Sequence, residues 1–433
     1  ERRTDQVVAA DRDMAADGRG RKRGPPVDAK AAVVPLRGPD ATPRVHRGDR
    51  GVGGEAHVDA VGGQPGEGVG HVGALSAEAV LVQATRPVPG GVERRLHAGH
   101  DTEASQRRNV LAADELEVFD AVRTLEQRIG YGLWICQQAA SDAYWPRLQA
   151  QFDVLDQEKA FVDPAQTLHT LKSNKAAEKA AIAQIRLLLT ELSATLDLEH
   201  GDDTLAFLYR HFSAFEGEEL QRRVAHNCIN TNQGFLSNLY AAIAWVLVRL
   251  LQYPDVASRV QAEIAATAQQ YGPQWRSNLD ALDSMHYLEQ VLMESVRLSQ
   301  RSITLRKVLE PVQVATESVC YTVNKGVYVT TLLSVKNAEG EALSTFDPDH
   351  YVGNRLKPEF TPGAREEVST FGHGKHACPA QKFSHMMCKT VVAAVLERFE
   401  LQLLSPDCEP SSRQIGGVAR SAEPAKISLA VRK

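Results

Sequence analysis

Phe371-Gly372-His373-Gly374-Lys375-His376-Ala377-Cys378-Pro379-Ala380 places one cysteine at the end of a glycine-bearing loop. Gly372 and Gly374 carry no Cβ, so the backbone there can turn tightly and approach a flat macrocycle. A thiolate from Cys378 would meet an iron from one side, push electron density onto the metal and favour cleavage of an O–O bond. His376 is placed to donate to a haem propionate, and Phe371 to shield the sulfur from water. The stretch therefore reads as a haem-thiolate ligand loop. Two blander readings compete with it: a surface turn with an incidental cysteine, and a zinc site built from His373, His376 and Cys378. Zinc calls for a second ligand pair at short spacing, whereas Cys136, Cys228, Cys320, Cys388 and Cys408 stand singly along the chain.

Such a loop needs something rigid behind it. Upstream, Tyr287 to Leu298 carries apolar residues at helical spacing. Glu294 and Arg297 lie three apart on that helix and share one face. Alone they read as a solvated ion pair worth little. Followed by the cysteine loop, the two motifs together resemble the cytochrome P450 family, whose K helix carries Glu-x-x-Arg and whose signature holds an aromatic, two glycines, a basic residue and the ligand cysteine at these spacings. The resemblance implies haem b (iron protoporphyrin IX) held by an axial Cys378 thiolate. It also implies that Glu294 and Arg297 are buried and bonded to a third residue within Phe346 to Tyr351. By the family's Pro-x-Arg-Phe pattern that residue is His350, where Arg is commoner. Ser302 to Arg306 has extended, β-branched character and resembles the strand carrying a propionate-binding Arg, here Arg306. Val312 to Val314 and Tyr321 to Val329, with Asn324-Lys325-Gly326 as a turn, predict short strands and a hairpin. Phe383 to Leu403 predicts one long helix, whose N-terminal dipole would favour the thiolate.

The apolar run from Asn227 to Leu251, ending at Tyr253-Pro254-Asp255, has a polar start that argues for a core helix rather than a membrane span. It resembles the P450 I helix that crosses the distal face of the haem. Most monooxygenases of the family carry an acidic residue followed by Thr there; this chain has Ser237 and Asn238, with Gly234 nearby. Thr231 to Asn238 is similar to the Gln-x-Asn pattern of the sterol-hydroxylase and prostacyclin-synthase branch, with Asn238 at the Asn position. Gly234, Ser237 and Asn238 are accordingly the catalytic candidates, with a plain helix-to-carbonyl bond as the alternative role for Asn238.

The front of the chain is of another kind. From Glu1 to Leu116 there is no Phe, Trp, Tyr, Ile or Cys, and Arg, Gly, Ala, Val, Asp and Pro dominate. Such a composition does not build a packed core. It lacks the apolar stretch of a signal peptide, and it fits either a disordered extension or a translation in the wrong frame of a GC-rich gene. Sequencing the 5′ end of the transcript separates the two. The expected organisation is thus a low-complexity segment over 1–116 and an incomplete P450-like haem domain over 117–433. The N-terminal sheet and the Trp- and Arg-bearing helix of the family are not recognisable; Trp145-Pro146-Arg147 has the wrong spacing.

Leu116 to Leu133, Glu178 to Leu198 and Thr204 to Ala214 predict helices, broken at Asp163-Pro164 and at His200 to Asp203. The expected fold is mainly α with small β-sheets, the P450 fold with its N-terminal third unrecognisable. With a net charge of −5, no basic stripe and no dinucleotide fingerprint, the chain gives no reason to expect nucleic acid or a built-in electron source. The resemblance then implies a monooxygenase taking O2, a lipophilic sterol- or lipid-like substrate and electrons from an external reductase or ferredoxin. The alternatives are an isomerase or dehydratase acting on a lipid peroxide, and a truncated product without activity. Dispersed cysteines suggest a reducing compartment, either cytoplasmic or membrane-associated, with no transmembrane anchor visible.

Overall fold

Residues 114–156, 164–315, 319–354, 368–372 and 377–432 are described in a computed structural model of the chain. Gly374 and His376, and the front segment up to residue 113, lie outside them. The chain divides into two compact units. The described part of one is residues 304–315 and 319–331. There β3 (Val312–Ala315) and β4 (Cys320–Val323) pair antiparallel from Val312 opposite Val323 to Ala315 opposite Cys320. Alongside runs the pair β2 (Ile303–Lys307) and β5 (Tyr328–Leu332). A turn stands at Asn324-Lys325-Gly326, with the Val327 amide donating to the Asn324 carbonyl at 3.4 Å, but the hairpin expected across it does not form: β4 pairs with β3 and β5 with β2.

The other unit starts with β1 (Asp114–Glu117) and α1 (Val118–Trp134). β1 pairs antiparallel with β7 (Lys426–Val431), Leu116 opposite Ile427, and β7 pairs in turn with β6 (Phe399–Leu403). The sheet thereby takes in Asp114 to Leu116, residues that composition alone assigns to the front segment. The Glu117 carboxylate caps α1 by accepting from the Asp120 amide at 2.7 Å. Four helices follow: α2 (Trp145–Leu155), α3 (Pro164–Lys172), α4 (Ala176–Ser193) and α5 (Thr204–His211). Pro146 and Pro164 stand in first turns, where a missing N–H is harmless.

The expected single distal helix is two helices, α6 (Gly217–Leu236) and α7 (Leu239–Gln252), with a break at Ser237-Asn238. Every residue from Leu239 to Leu250 is buried. A helix apolar all round belongs in a core, and α7 sits against α1, α10 and α12. Trp245 anchors it: its indole N–H donates to the Ala419 carbonyl at 2.6 Å and its ring meets Phe119 edge-on at 5.3 Å. Residues 217–252 are long and apolar enough to cross a membrane, but 78% of the critical window is buried inside the protein.

α8 (Pro254–Tyr271), α9 (Leu279–Ser284) and α10 (His286–Ser299) come next. Glu263 of α8 accepts from the amides of Tyr287 and Leu288 at 2.7 and 2.8 Å, capping α10 with a carboxylate and fixing where that helix begins. The short α11 (Leu333–Lys336) and a 3₁₀ turn (Pro348–Asn354) lead to α12 (Gln381–Arg398). The helix expected to reach Leu403 stops at Arg398. Phe399-Glu400-Leu401-Gln402-Leu403 alternates half-buried and exposed along strand β6, a period of two that a reading of leucine recurrence misses.

One core residue works against the fold. Glu126 of α1 is fully buried, and neither carboxylate oxygen has a hydrogen-bond partner. Burial pushes its carboxyl well above the ordinary range, so it keeps a proton that the unfolded chain releases above pH about 4.3, and stability falls as pH rises past that point. Glu126→Met is expected to raise unfolding free energy by about 1–3 kcal/mol at pH 7, with a smaller gain at pH 4 in denaturant titrations. An equal or lower midpoint at pH 7 would show that the acid has found a partner.

Candidate functional site

Glu294 and Arg297 are both fully buried in α10. The guanidinium is held at every N–H it has. Nε and Nη2 donate to the two oxygens of Glu294 at 2.7 and 2.6 Å, and Nη2 also donates to the Thr345 carbonyl at 3.0 Å. Nη1 donates to the carbonyls of Asn337 and, at 2.6 Å, Leu343. Five donors in a planar fork meet five acceptances. A lone ion pair on a helix surface would do none of this.

The carboxylate gathers the same segment from its own side. Glu294 Oε1 accepts from the Asp347 amide at 2.9 Å, and His350 Nδ1 lies 3.0 Å from it. A carboxylate only accepts, so Nδ1 carries the proton. His350, itself buried, thus meets Glu294 rather than Arg297. The pair draws residues 337–350 onto the back of α10.

Sequence reasoning missed the next link, Asn337. It ends α11 and is fully buried. Its Oδ1 accepts from the Ser369 amide at 2.8 Å, and its Nδ2 donates to the carbonyls of Ser369 at 2.7 Å and Arg297 at 3.3 Å. The carboxamide thus pairs with Ser369 as a strand neighbour would, while Gln300 Nε2 donates to the Thr370 carbonyl at 3.2 Å. The only local signal was an Asn at a helix end.

From Ser369 it is two residues to Phe371, which packs with Leu343 onto Met293, Tyr351 and Val368. Gly372 has φ +76°, a left-handed conformation that favours glycine. The Cys378 amide donates to the Phe371 carbonyl at 2.7 Å, closing the loop from behind. Cys378 is half-buried, not disulfide-bonded, and three residues ahead of α12, whose first turn holds no acid. A pinned, accessible thiol of this kind can bind a soft metal centre through sulfur alone. Among the described residues no group of three or more His, Cys, Asp and Glu could chelate a metal.

The other candidates lie elsewhere. Gly234 is exposed on α6, and a Cβ there would meet nothing within 4 Å. Ser237 and Asn238 form the break. Asn238 Nδ2 donates to Ser237 Oγ at 3.0 Å, and its Oδ1 accepts from the Val418 amide at 2.9 Å. A side chain that competes for backbone partners is a recognised cause of helix breaks. Gly417, at φ +63°, makes the approach feasible, since a Cβ there would stand 2.1 Å from Asn238 Oδ1. Arg306 belongs to β2 in the smaller unit, where Nη1 donates to the Leu305 carbonyl at 3.0 Å.

Comparison with known proteins gives this arrangement a family. The chain is 26% identical over 257 residues to Cytochrome P450 monooxygenase CYP512U6 of Ganoderma lucidum, covering 55% of this chain and 48% of that one. It is 28% identical over 182 residues to 25-hydroxycholesterol 7-alpha-hydroxylase of Rattus norvegicus, covering 39% and 44%. It is 23% identical over 286 residues to Sterol 14-alpha demethylase CYP51A of Gibberella zeae, covering 61% and 55%. The chain spans about half the length of the curated relatives it matches. A sequence model of cytochrome P450 matches residues 150–429, well over half of the chain. With its helical fold, its small antiparallel sheets and a buried Glu294–Arg297 pair bonded to the segment that leads to the cysteine loop, this chain belongs to the cytochrome P450 family.

Proposed function

We propose that the chain is the haem-binding part of a monooxygenase that inserts one oxygen atom from O2 into a lipophilic, sterol- or lipid-like substrate, with electrons from an external reductase or ferredoxin. The observation that carries the reading is the buried network from Glu294 and Arg297 through Asn337 to Ser369, which fixes the base of the Cys378 loop. The residues present fit haem b. One half-buried free thiol next to a glycine in the left-handed region suits a single axial ligand beside a flat group, and no competing chelate stands among the described residues. Bound there, haem supplies activation of dioxygen at a thiolate-ligated iron.

The rest of the work falls to this chain's own residues. Cys378 would hold the iron, and Phe371, whose carbonyl accepts from the Cys378 amide, would cover the sulfur. Gly372 and Gly374 would permit close approach of the flat group, and His376 would hold a propionate. Glu294, Arg297, His350 and Asn337 keep the loop in place. Asn238 bonds the Val418 amide and the Ser237 hydroxyl at the break between α6 and α7, and Gly234 and Ser237 would shape the substrate side of the site. Two of the relatives are named for sterols, which supports a substrate of that class. One observation favours a second reading: with Asn238 bonded at both ends, no acid-and-alcohol pair stands at the break to pass protons, which suits a lipid-peroxide isomerase needing no external electrons.

The full chain, supplied with haem, reduced and exposed to carbon monoxide, is expected to show the red-shifted Soret band of thiolate ligation. Cys378→Ser is expected to lose that band while keeping the fold. The same band in Cys378→Ser, or no haem uptake by the parent chain, would refute the reading. Turnover of a lipid hydroperoxide without reductase separates the isomerase from the monooxygenase.

A further inference from the structure

A second brace reaches Phe371 of the cysteine loop from α12, and it is built of charged groups that the network above does not use. Glu289 of α10 lies one helical turn and a half before Glu294. Its Oε2 accepts from Lys389 Nζ of α12 at 2.8 Å, and that ammonium also donates to the Leu282 carbonyl at 2.9 Å. Lys389 is 1% exposed, so its charge is satisfied inside the protein by two acceptors rather than by water. Glu289 Oε1 lies 3.5 Å from Nδ1 of His385, one turn earlier on α12. Burial alone would raise the Glu289 carboxyl, but the bonds from His385 and Lys389 outweigh it and hold it well below the ordinary range. The carboxylate is thus a fixed post between two side chains of α12.

The imidazole, oriented by that post, turns to the loop. Its ring meets Phe371 edge-to-face, with centroids 5.1 Å apart and planes at 68°, a favoured aromatic geometry. Phe371 is the residue whose carbonyl receives the Cys378 amide. His385 is only 8% exposed, and its Nε2 is buried without a partner. A buried orphan of this sort costs stability and calls for an explanation. A leucine would fill the space without that cost but could neither be oriented by Glu289 nor present a ring edge to Phe371.

We propose that His385 is a positioning residue for Cys378: held by the Glu289–Lys389 pair, its ring fixes Phe371, the residue bonded to the Cys378 amide, and so limits the access of solvent to the sulfur. The first test needs no haem, and its readout is alkylation of the unloaded full chain by iodoacetamide, mapped cysteine by cysteine. Exposed Cys320 serves as the internal reference, and buried Cys228 and Cys388 report the fold. His385→Gln, which removes the ring, is expected to raise labelling of Cys378 relative to Cys320 several-fold while Cys228 and Cys388 stay protected. His385→Phe, which keeps a ring, is expected to stay near the parent. If the Gln variant does not fold, the Phe variant decides. Protection of Cys378 in it supports the brace, and labelling as fast as Cys320 overturns it. An unchanged ratio in a folded Gln variant also overturns it.

A second measurement rests on the haem-thiolate reading. In the loaded chain, His385→Gln is expected to lose the thiolate-type carbon monoxide band about 10-fold faster than the parent, the scale on which residues behind a metal ligand act, with His385→Phe close to the parent. Equal decay in a parent that shows the band would sink the positioning role alone. A parent that binds haem without the band would sink the thiolate reading and leave the alkylation result to judge the brace.

Discussion

Arg297→Lys is expected to cost about 3–5 kcal/mol, the loss seen when one member of a buried ion pair is removed, although charge is conserved. An ammonium has three donors on a flexible stem, against the five N–H groups that Arg297 places in a plane. Lysine can keep a contact with Glu294, but it cannot also reach the carbonyls of Asn337, Leu343 and Thr345 in the positions the guanidinium serves. Two acceptors are left buried and unpaired, each worth about 1–3 kcal/mol. Against a total stability of about 5–15 kcal/mol for a natural domain, the change removes a large share. Urea titration should show the midpoint falling accordingly, and the thiolate-type band should fail to form at temperatures where the parent shows it. A shift below about 1 kcal/mol, the value of a surface pair, would mean that the fork is open to water.

Asn337→Leu is expected to have the second largest effect, and a more local one. Leucine nearly matches the side chain in shape, so the core around it has no cavity to collapse. What disappears is the pairing with Ser369: its amide and its carbonyl both lose their partner, and the Arg297 carbonyl loses a donor. The Ser369 amide and carbonyl, the more closely bonded of these three groups, put the cost at about 2–4 kcal/mol. Asn337→Asp is the informative companion. It can still accept from the Ser369 amide but confronts the Ser369 carbonyl with an oxygen, so it should be nearly as damaging. In both variants the thiolate-type band is expected to weaken out of proportion to the drop in melting temperature, because the segment released leads directly to Phe371 and Cys378. A band that follows global stability alone would assign Asn337 to the fold and not to the loop.

Much of the site was legible because its signals are local. Glu294 and Arg297 stand three apart in an amphipathic stretch, and helical geometry alone puts them on one face. The Gly-bearing stretch before Cys378 announces a backbone that side chains must not obstruct, and Gly372 does take the left-handed conformation. Strand β2 and the Asn324-Lys325-Gly326 turn were visible for the same reason, since turn chemistry and β-branched runs act within a few residues. The helix ends were legible only to a turn, as at Ala176 and Ser193 of α4 against the expected Glu178 and Leu198.

What the sequence determined by itself, then, is the family and its landmarks: one cysteine at the end of a glycine-bearing loop, and one acid–base pair set three apart on a helix. The tertiary structure decided what those groups touch. Asn337 and Ser369 are 32 residues apart, and His385 and Glu289 sit on helices nearly a hundred residues apart. The bond from Val418 that accompanies the break at Asn238 comes from 180 residues away. Periodicity and propensity extend over a turn or a strand, whereas a buried polar group is satisfied by whatever folding brings against it. Such pairings leave no local pattern along the chain, and only packing shows them.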